Sequence, residues 1–427
     1  MVQYIVEIKI KMEFYMKKFV ALFLTLIIAI PLVSGFNVSA QEAKRIESEI
    51  FAVSRGGDTR IHPQNSLEAI EACLELDIDA ISATARKTKD GKIVLFENES
   101  TLDVCIDKSG NRIDKKISET DYKTLSSYYL LSPGSKVLSK KTESRILLMT
   151  DAFKAIDGKM IMIIDCESAI LDDIYNEIFL NGFVHDVIIR CRDMKPKDLY
   201  NWASQQTAVP EIMASYHGNV IFSAISTYNY AVENNFCSAE FTTKNQYGVV
   251  FSNFFTKRFG NDVKICASVY DPDLCGKRPD NVTGWEDLIS RGCTIIETNK
   301  AAEFSSYIKL VEENLYSLNL LYTALSSKNY DTYSARSLRK FNKYMDEAKQ
   351  ILTSEKASSA TQISECIENL NLAADEIELS DGSSDSLFVV TPMRIFWIVF
   401  ALALFISSQV YLFRKTEKSR KSKKKSK

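Results

Sequence analysis

The sequence predicts an α/β protein: a (β/α)8 TIM barrel, followed by a small three-helix bundle and a C-terminal transmembrane helix. Three observations carry this. Between residues 48 and 310, short β-rich apolar runs alternate with helix-patterned segments, the order that builds a parallel sheet. From 311 to 380 the apolar residues recur at helical spacing alone,. Residues 395–413 form an uncharged apolar run with a basic flank, long enough to span a bilayer.

The elements follow in chain order. Lys17-Lys18 precede an apolar stretch over 19–36, and Val38-Ser39-Ala40 follow it. A basic region, an apolar region and a small-residue cleavage site read as a signal peptide. Residues 1–40 are thus expected to be that leader, with an upstream extension before Met16. Barrel strands are expected at 50–53, 80–83, 93–96, 160–164, 187–191, 212–215, 263–269 and 294–296. Helices are expected at 66–76, 195–205 and 285–291. Eight such units in about 260 residues suit a (β/α)8 barrel. Several strands are apolar throughout, as expected when both faces are covered. Residues 216–260 are expected to hold an extra hairpin or an inserted helix.

The later segments follow the same logic. Connectors at 326–334 and 353–359 divide the helical region 311–380, and Thr361 is the expected N-cap of its last helix. Residues 381–394 form a polar linker. Trp397 and Tyr411 lie near the ends of the 395–413 span, where amphipathic rings prefer the interface. Residues 414–427 carry nine Lys/Arg and one Glu. The positive-inside bias makes them a cytoplasmic tail and the large N-terminal region extracellular, in a single-pass protein of the cell membrane.

The net charge of −2 hides this asymmetry. Without leader and tail the middle of the chain is acidic, which argues against nucleic acid as a partner. The nine cysteines include no CxxC pair, so a zinc site is not expected. Most of them read as small core residues, and no disulfide pairing is legible.

Residues 54–98 contain an ordered set of motifs. They are Ser54-Arg55-Gly56-Gly57, Pro63-Gln64-Asn65-Ser66-Leu67, Asp79-Ala80-Ile81-Ser82-Ala83-Thr84, Thr88-Lys89-Asp90-Gly91 and Val94-Leu95-Phe96-Glu97-Asn98. Their order and spacing resemble the glycerophosphodiester phosphodiesterase family. That family reads His-Arg-Gly, Pro-Glu-Asn-Thr-Leu, Ile-Glu-x-Asp, Thr-x-Asp-Gly and Val-x-x-His-Asp at these places. The resemblance continues through residues 113–125. Ile164-Asp165-Cys166-Glu167 is similar to the end of the family's fourth strand, Ile-Glu-x-Lys. Trp285 to Gly292 and Ile295-Ile296-Glu297-Thr298-Asn299 resemble the final helix and strand. The likeness spans most of 48–310. In the helical region, Asn329-Tyr330-Asp331-Thr332-Tyr333-Ser334 and Ala360-Thr361-Gln362 resemble the FIVAR module of bacterial surface proteins.

The family resemblance implies a phosphoric diester hydrolase, working at the C-terminal mouth of the barrel with two histidines and a carboxylate-bound divalent metal. Other residues stand at those positions. Ser54 and Glu97 replace the two histidines, and neither a serine nor an ordinarily ionised glutamate is a good proton donor at neutral pH. Ser82 and Thr84 replace the strand-two metal ligands, and hydroxyls are weak ligands for a hard cation. Gln64 stands for the Glu of Pro-Glu-Asn. Asp165 keeps a carboxylate at a metal position. Arg55 is kept, and its fork can hold an anion without catalysis.

The expected ligand-binding set is therefore Arg55, Glu97 and Asp165, with no catalytic residue, no metal ligand and no cofactor. One function is a catalytically silent, membrane-anchored extracellular barrel that binds an anionic phosphodiester, a polyol or a cell-surface partner. A second is a divergent hydrolase acting on glycerophosphodiesters through Glu97, Asp165 and His62, with Ca²⁺ or Mg²⁺. In that case Glu99 and Glu167 would join the acidic cluster. A third is a surface adhesion protein acting through its helical module. His185 and His217 are expected in structural or surface places.

Overall fold

The computed structural model describes residues 47–380 except 77, 135–139, 260, 261, 332, 334 and 355. The expected leader (1–40), linker (381–394), membrane span (395–413) and basic tail (414–427) lie outside the described residues. Among the described residues, no helix is long and apolar enough to cross a membrane.

The strands are β1 (Phe51–Arg55), β2 (Ala80–Lys87), β3 (Ile93–Leu95), β4 (Cys105–Ile106), β5 (Tyr129–Leu130), β6 (Leu147–Leu148), β7 (Ile161–Asp165), β8 (Val187–Arg190), β9 (Glu211–His217), β10 (Ser238–Thr242), β11 (Lys264–Ser268) and β12 (Ile295–Thr298). Eight of them run parallel in the order β1-β2-β7-β8-β9-β10-β11-β12. β12 pairs back onto β1, placing Thr298 opposite Ser54, and closes the barrel.

Two expectations are corrected. The run at 93–96 is not a barrel strand. As β3 it folds back antiparallel on the end of β2, with Lys87 opposite Ile93, and β6 pairs antiparallel with it. Ile161–Asp165 is consequently the third barrel strand, not the fourth. The missing eighth strand is β10, within the region expected to hold a hairpin or inserted helix. β10 reads Ser-Ala-Glu-Phe-Thr and is hidden from a hydrophobicity search by the Glu240 that it buries.

The excursion between β2 and β7 has its own small core of Val94, Phe96, Cys105, Ile117, Leu125, Leu130 and Ile146. The barrel interior divides into two levels. The lower level is apolar, built from Val53, Ala80, Ile163, Met213, Cys266 and Ile295. Side chains alternate along a strand, so the next inward positions toward the C-terminal ends are Arg55, Ser82, Asp165, Arg190, Ser215, Glu240, Ser268 and Glu297. Polar groups therefore fill the upper level.

Local signals set the outer elements. The helix Leu67–Glu75 is capped by Ser66, whose hydroxyl accepts from the Ala69 amide at 3.2 Å. Gly57 makes its approach feasible. It has φ +92°, and a Cβ there would lie 2.6 Å from the Ala69 backbone. Asn281 caps the helix Val282–Arg291, and Gly292 ends it in the left-handed region. Helices Ala301–Ser326, Ala335–Thr353 and Ala360–Ser380 are separated at the expected connectors. The cap of the last one is Ser359 and not Thr361. The Ser359 hydroxyl accepts from the Gln362 amide at 3.3 Å, and Gln362 Oε1 accepts from the Ser359 amide at 2.9 Å. That reciprocal pair is a capping box. Residue 310 lies inside the first of these helices. The chain divides into two compact units: described residues up to 326 with 348–367, and 327–347 with described residues from 368 onward.

Candidate functional site

The barrel mouth is filled by a lattice of ion pairs. Arg55, at the end of β1, is 2% exposed. Its Nη1 donates to Asp165 Oδ2. Its Nη2 donates to Glu97 Oε2 at 2.6 Å and to Thr84 Oγ1 at 2.8 Å. Its guanidinium also stacks 5.1 Å from the Tyr270 ring centroid. The three residues expected to form a binding set, Arg55, Glu97 and Asp165, are thus in contact. The Arg55 fork, however, already holds two carboxylates.

Arg190, at the end of β8, sits at the centre and is fully buried. Its Nε donates to Asp165 Oδ1 at 2.5 Å and its Nη2 to Asp165 Oδ2 at 3.0 Å. The same guanidinium reaches Glu240 Oε1 at 3.1 Å, Glu297 Oε2 at 2.8 Å and Glu297 Oε1 at 2.9 Å. Arg192 covers it from above. It donates to Asp165 Oδ2 at 3.1 Å and to Glu240 at 2.8 and 2.9 Å. Hydroxyls take the remaining carboxylate lone pairs. Ser82 donates to Glu297 and Ser215 to Glu240 at 3.2 Å, while Ser268 Oγ lies 2.7 Å from both Glu240 and Glu297 and gives its one proton to either,.

The charges hold one another ionised. Burial pushes the Asp165, Glu240 and Glu297 carboxyls up, but Arg190 and the neighbouring guanidiniums outweigh it and hold all three below the usual carboxylate range, Glu240 at about 2. Burial likewise opposes the Arg55 and Arg190 charges, and the surrounding carboxylates reverse that. Burial, reinforced by Glu297, drives the Tyr270 phenol above its ordinary value. Tyr270 therefore stays protonated at neutral pH.

Sequence reasoning missed Arg190, Arg192, Glu240 and Glu297 as site residues. Their signal was the two-residue alternation. Ile188 and Arg190 share one face of β8, with Arg192 in the turn just after it, and Glu297 shares a face with Ile295,. The other acidic candidates do not join the lattice. Glu167 is exposed and reaches Arg86 at 3.5 Å, and Glu99 is exposed. No histidine takes part among the described residues. His185 is exposed, His217 Nδ1 meets Thr242 Oγ1 at 2.9 Å, and His62 lies on the loop after β1.

The metal that the family resemblance implies does not fit these residues. A hard divalent cation needs several oxygen ligands with free lone pairs. Ser82 and Thr84 occupy the strand-two positions, and every oxygen of Asp165, Glu240 and Glu297 already accepts from a guanidinium or hydroxyl. Among the described residues, no group of three His, Cys, Asp or Glu is arranged to hold a metal. Above the lattice remains a pocket of about 170 Å³ lined by Arg55, Thr84, Arg86, Glu97, Asp165 and Arg192, among others.

No family model matches the chain, and no curated protein matches it by sequence. Solved structures of glycerophosphodiester phosphodiesterases resemble its barrel. A glycerophosphoryl diester phosphodiesterase from Parabacteroides distasonis is 18% identical with a TM-score of 0.48, over 62% of this chain and 89% of that one. A putative one from Silicibacter pomeroyi is 9% identical with a TM-score of 0.49, over 63% and 96%. A phosphodiesterase from Oleispira antarctica, in complex with sn-glycerol-3-phosphate, is 14% identical with a TM-score of 0.46, over 61% and 97%.

Proposed function

We propose that this chain is a glycerophosphodiester phosphodiesterase-like barrel that does not hydrolyse phosphodiesters. It serves instead as a binding or scaffold module, anchored at the outer face of a membrane. One observation carries this: the buried Arg190 guanidinium stands among Asp165, Glu240 and Glu297 as a built-in counter-ion. A fixed guanidinium can neither ligate an attacking water nor give up its proton at neutral pH. The groups at the family's histidine positions cannot replace it. Ser54 Oγ donates to Gly57 O at 2.9 Å, and Glu97 is paired with Arg55. Losing one general acid or base typically lowers a rate by about 10²–10⁴.

The pocket above the lattice alternates in charge, with Arg192 and Glu97 partly exposed. That alternation suits a polyol, which both donates and accepts hydrogen bonds, better than a bare anion. The membrane anchor rests on residues 395–427, and the FIVAR-like helices give a second surface for a partner outside the cell.

The test is hydrolysis of glycerophosphodiesters by the full-length protein with Ca²⁺ or Mg²⁺ added. Release of alcohol should not exceed the buffer rate. Metal-dependent release that disappears in Arg55→Ala would overturn the proposal and restore the divergent-hydrolase alternative.

A further inference from the structure

The cysteines beside the lattice have a chemistry of their own. Cys166 and Cys191 directly follow the last residues of β7 and β8, where Asp165 pairs in register with Arg190. The register continues one step further, since the Cys166 amide donates to Arg190 O at 3.2 Å. Neighbouring strands lie about 4.7–4.9 Å apart, within the Cα separation of about 4.4–6.8 Å that a disulfide spans. The two residues thus occupy facing positions at the ends of neighbouring parallel strands. Other strand cysteines face different residues: Cys105 pairs with Leu130, and Cys266 with Glu240.

We propose that Cys166 and Cys191 form an oxidisable dithiol, closed to a disulfide by exchange with a low-molecular-weight disulfide, which staples β7 to β8 beside the ion lattice. Cys166 lines the mouth pocket, whereas Cys191 is 1% exposed, so the order of events follows from access. The Cys166 thiolate attacks one sulfur of the incoming disulfide, forms a mixed disulfide and expels one thiolate. Cys191 then passes its proton to the Asp193 carboxylate to which it donates, attacks the Cys166 sulfur and expels the second. Two protein thiols are oxidised to one disulfide, and the reagent disulfide is reduced to two thiols.

The two loops that this bond joins are already tied without it. Ser168, after β7, donates its amide and hydroxyl to Asp193, after β8, at 3.1 and 2.7 Å. Cys191 Sγ donates to the same carboxylate at 3.0 Å. These contacts hold the thiols in position. Closing the bond keeps β7 and β8 together in the unfolded chain as well, where most of a disulfide's stabilisation arises.

The test exposes reduced full-length protein to glutathione disulfide under native conditions, then alkylates free thiols and maps peptides without reduction. The expected major product is a peptide linking Cys166 to Cys191, and Tm should rise by about 5 °C or more. In Cys191→Ser, Cys166 should instead carry one glutathione. Complete alkylation of both cysteines in the wild-type protein, or a dominant link between either of them and a third cysteine, would overturn the proposal.

Discussion

Replacing Arg190 by methionine removes the charge at the centre of the lattice while keeping much of the side chain's length. The consequence can be worked through the three carboxylates it serves. Asp165 retains Arg55 and Arg192, and Glu240 retains Arg192. Glu297, fully buried, keeps only Ser82, Ser268 and an Arg55 nitrogen at 3.5 Å. Breaking a buried pair by removing one partner costs about 3–5 kcal/mol, because a charge is left uncompensated. Arg190→Met should therefore lower stability by about that amount, read as the shift in a denaturant unfolding curve. Adding Glu297→Gln to the same chain removes the orphaned charge and should recover a sizeable part of the loss. Arg192→Met takes away a guanidinium that is 34% exposed, so it should cost less. If Arg190→Met lost under about 1 kcal/mol, or if Glu297→Gln deepened the loss, the lattice would not be the charge-balanced unit described here.

Three further outcomes follow from the same structure. Asp165, Glu240 and Glu297 are depressed in the folded state, so their contribution is complete above the ordinary carboxylate range and is lost as pH falls through their folded values. Thermal stability should thus hold down to about pH 4.5 and fall steadily toward pH 2, the value near which Glu240 titrates. Gly57→Ala should destabilise by about 2–4 kcal/mol, since the added methyl meets the Ala69 backbone at a positive φ,; an unchanged Tm would refute that packing. Asp280 accepts from Trp285 Nε1 at 3.0 Å, Thr298 Oγ1 at 2.5 Å and the Asn299 amide at 2.9 Å. Asp280→Ala should therefore cost about 1–3 kcal/mol, measurable by chemical denaturation.

How far the sequence could be read depended on where polar groups sit. The apolar strands at 160–164, 187–191 and 263–269 were legible because both faces are covered. β10 was not, because Glu240 interrupts its short apolar pattern and finds its compensation on β8, 50 residues away in the chain. β3 was legible as a strand but not as an antiparallel return, since three apolar residues carry no direction. At the mouth, motif positions brought Arg55, Glu97 and Asp165 to one place. Arg190 and Glu297 lay in segments already noted for other reasons, and only the alternation of faces joins them. Arg190 lies inside the legible strand 187–191, but its partners come from three different strands, far apart in the chain.

The most direct measurement is a crystal structure of the protein grown with excess Mn²⁺, with anomalous scattering recorded at the barrel mouth. No anomalous peak is expected there, and Arg190 should lie within hydrogen-bond distance of Asp165, Glu240 and Glu297. A Mn²⁺ ion coordinated by Asp165, with Arg190 displaced from the carboxylates, would contradict this arrangement.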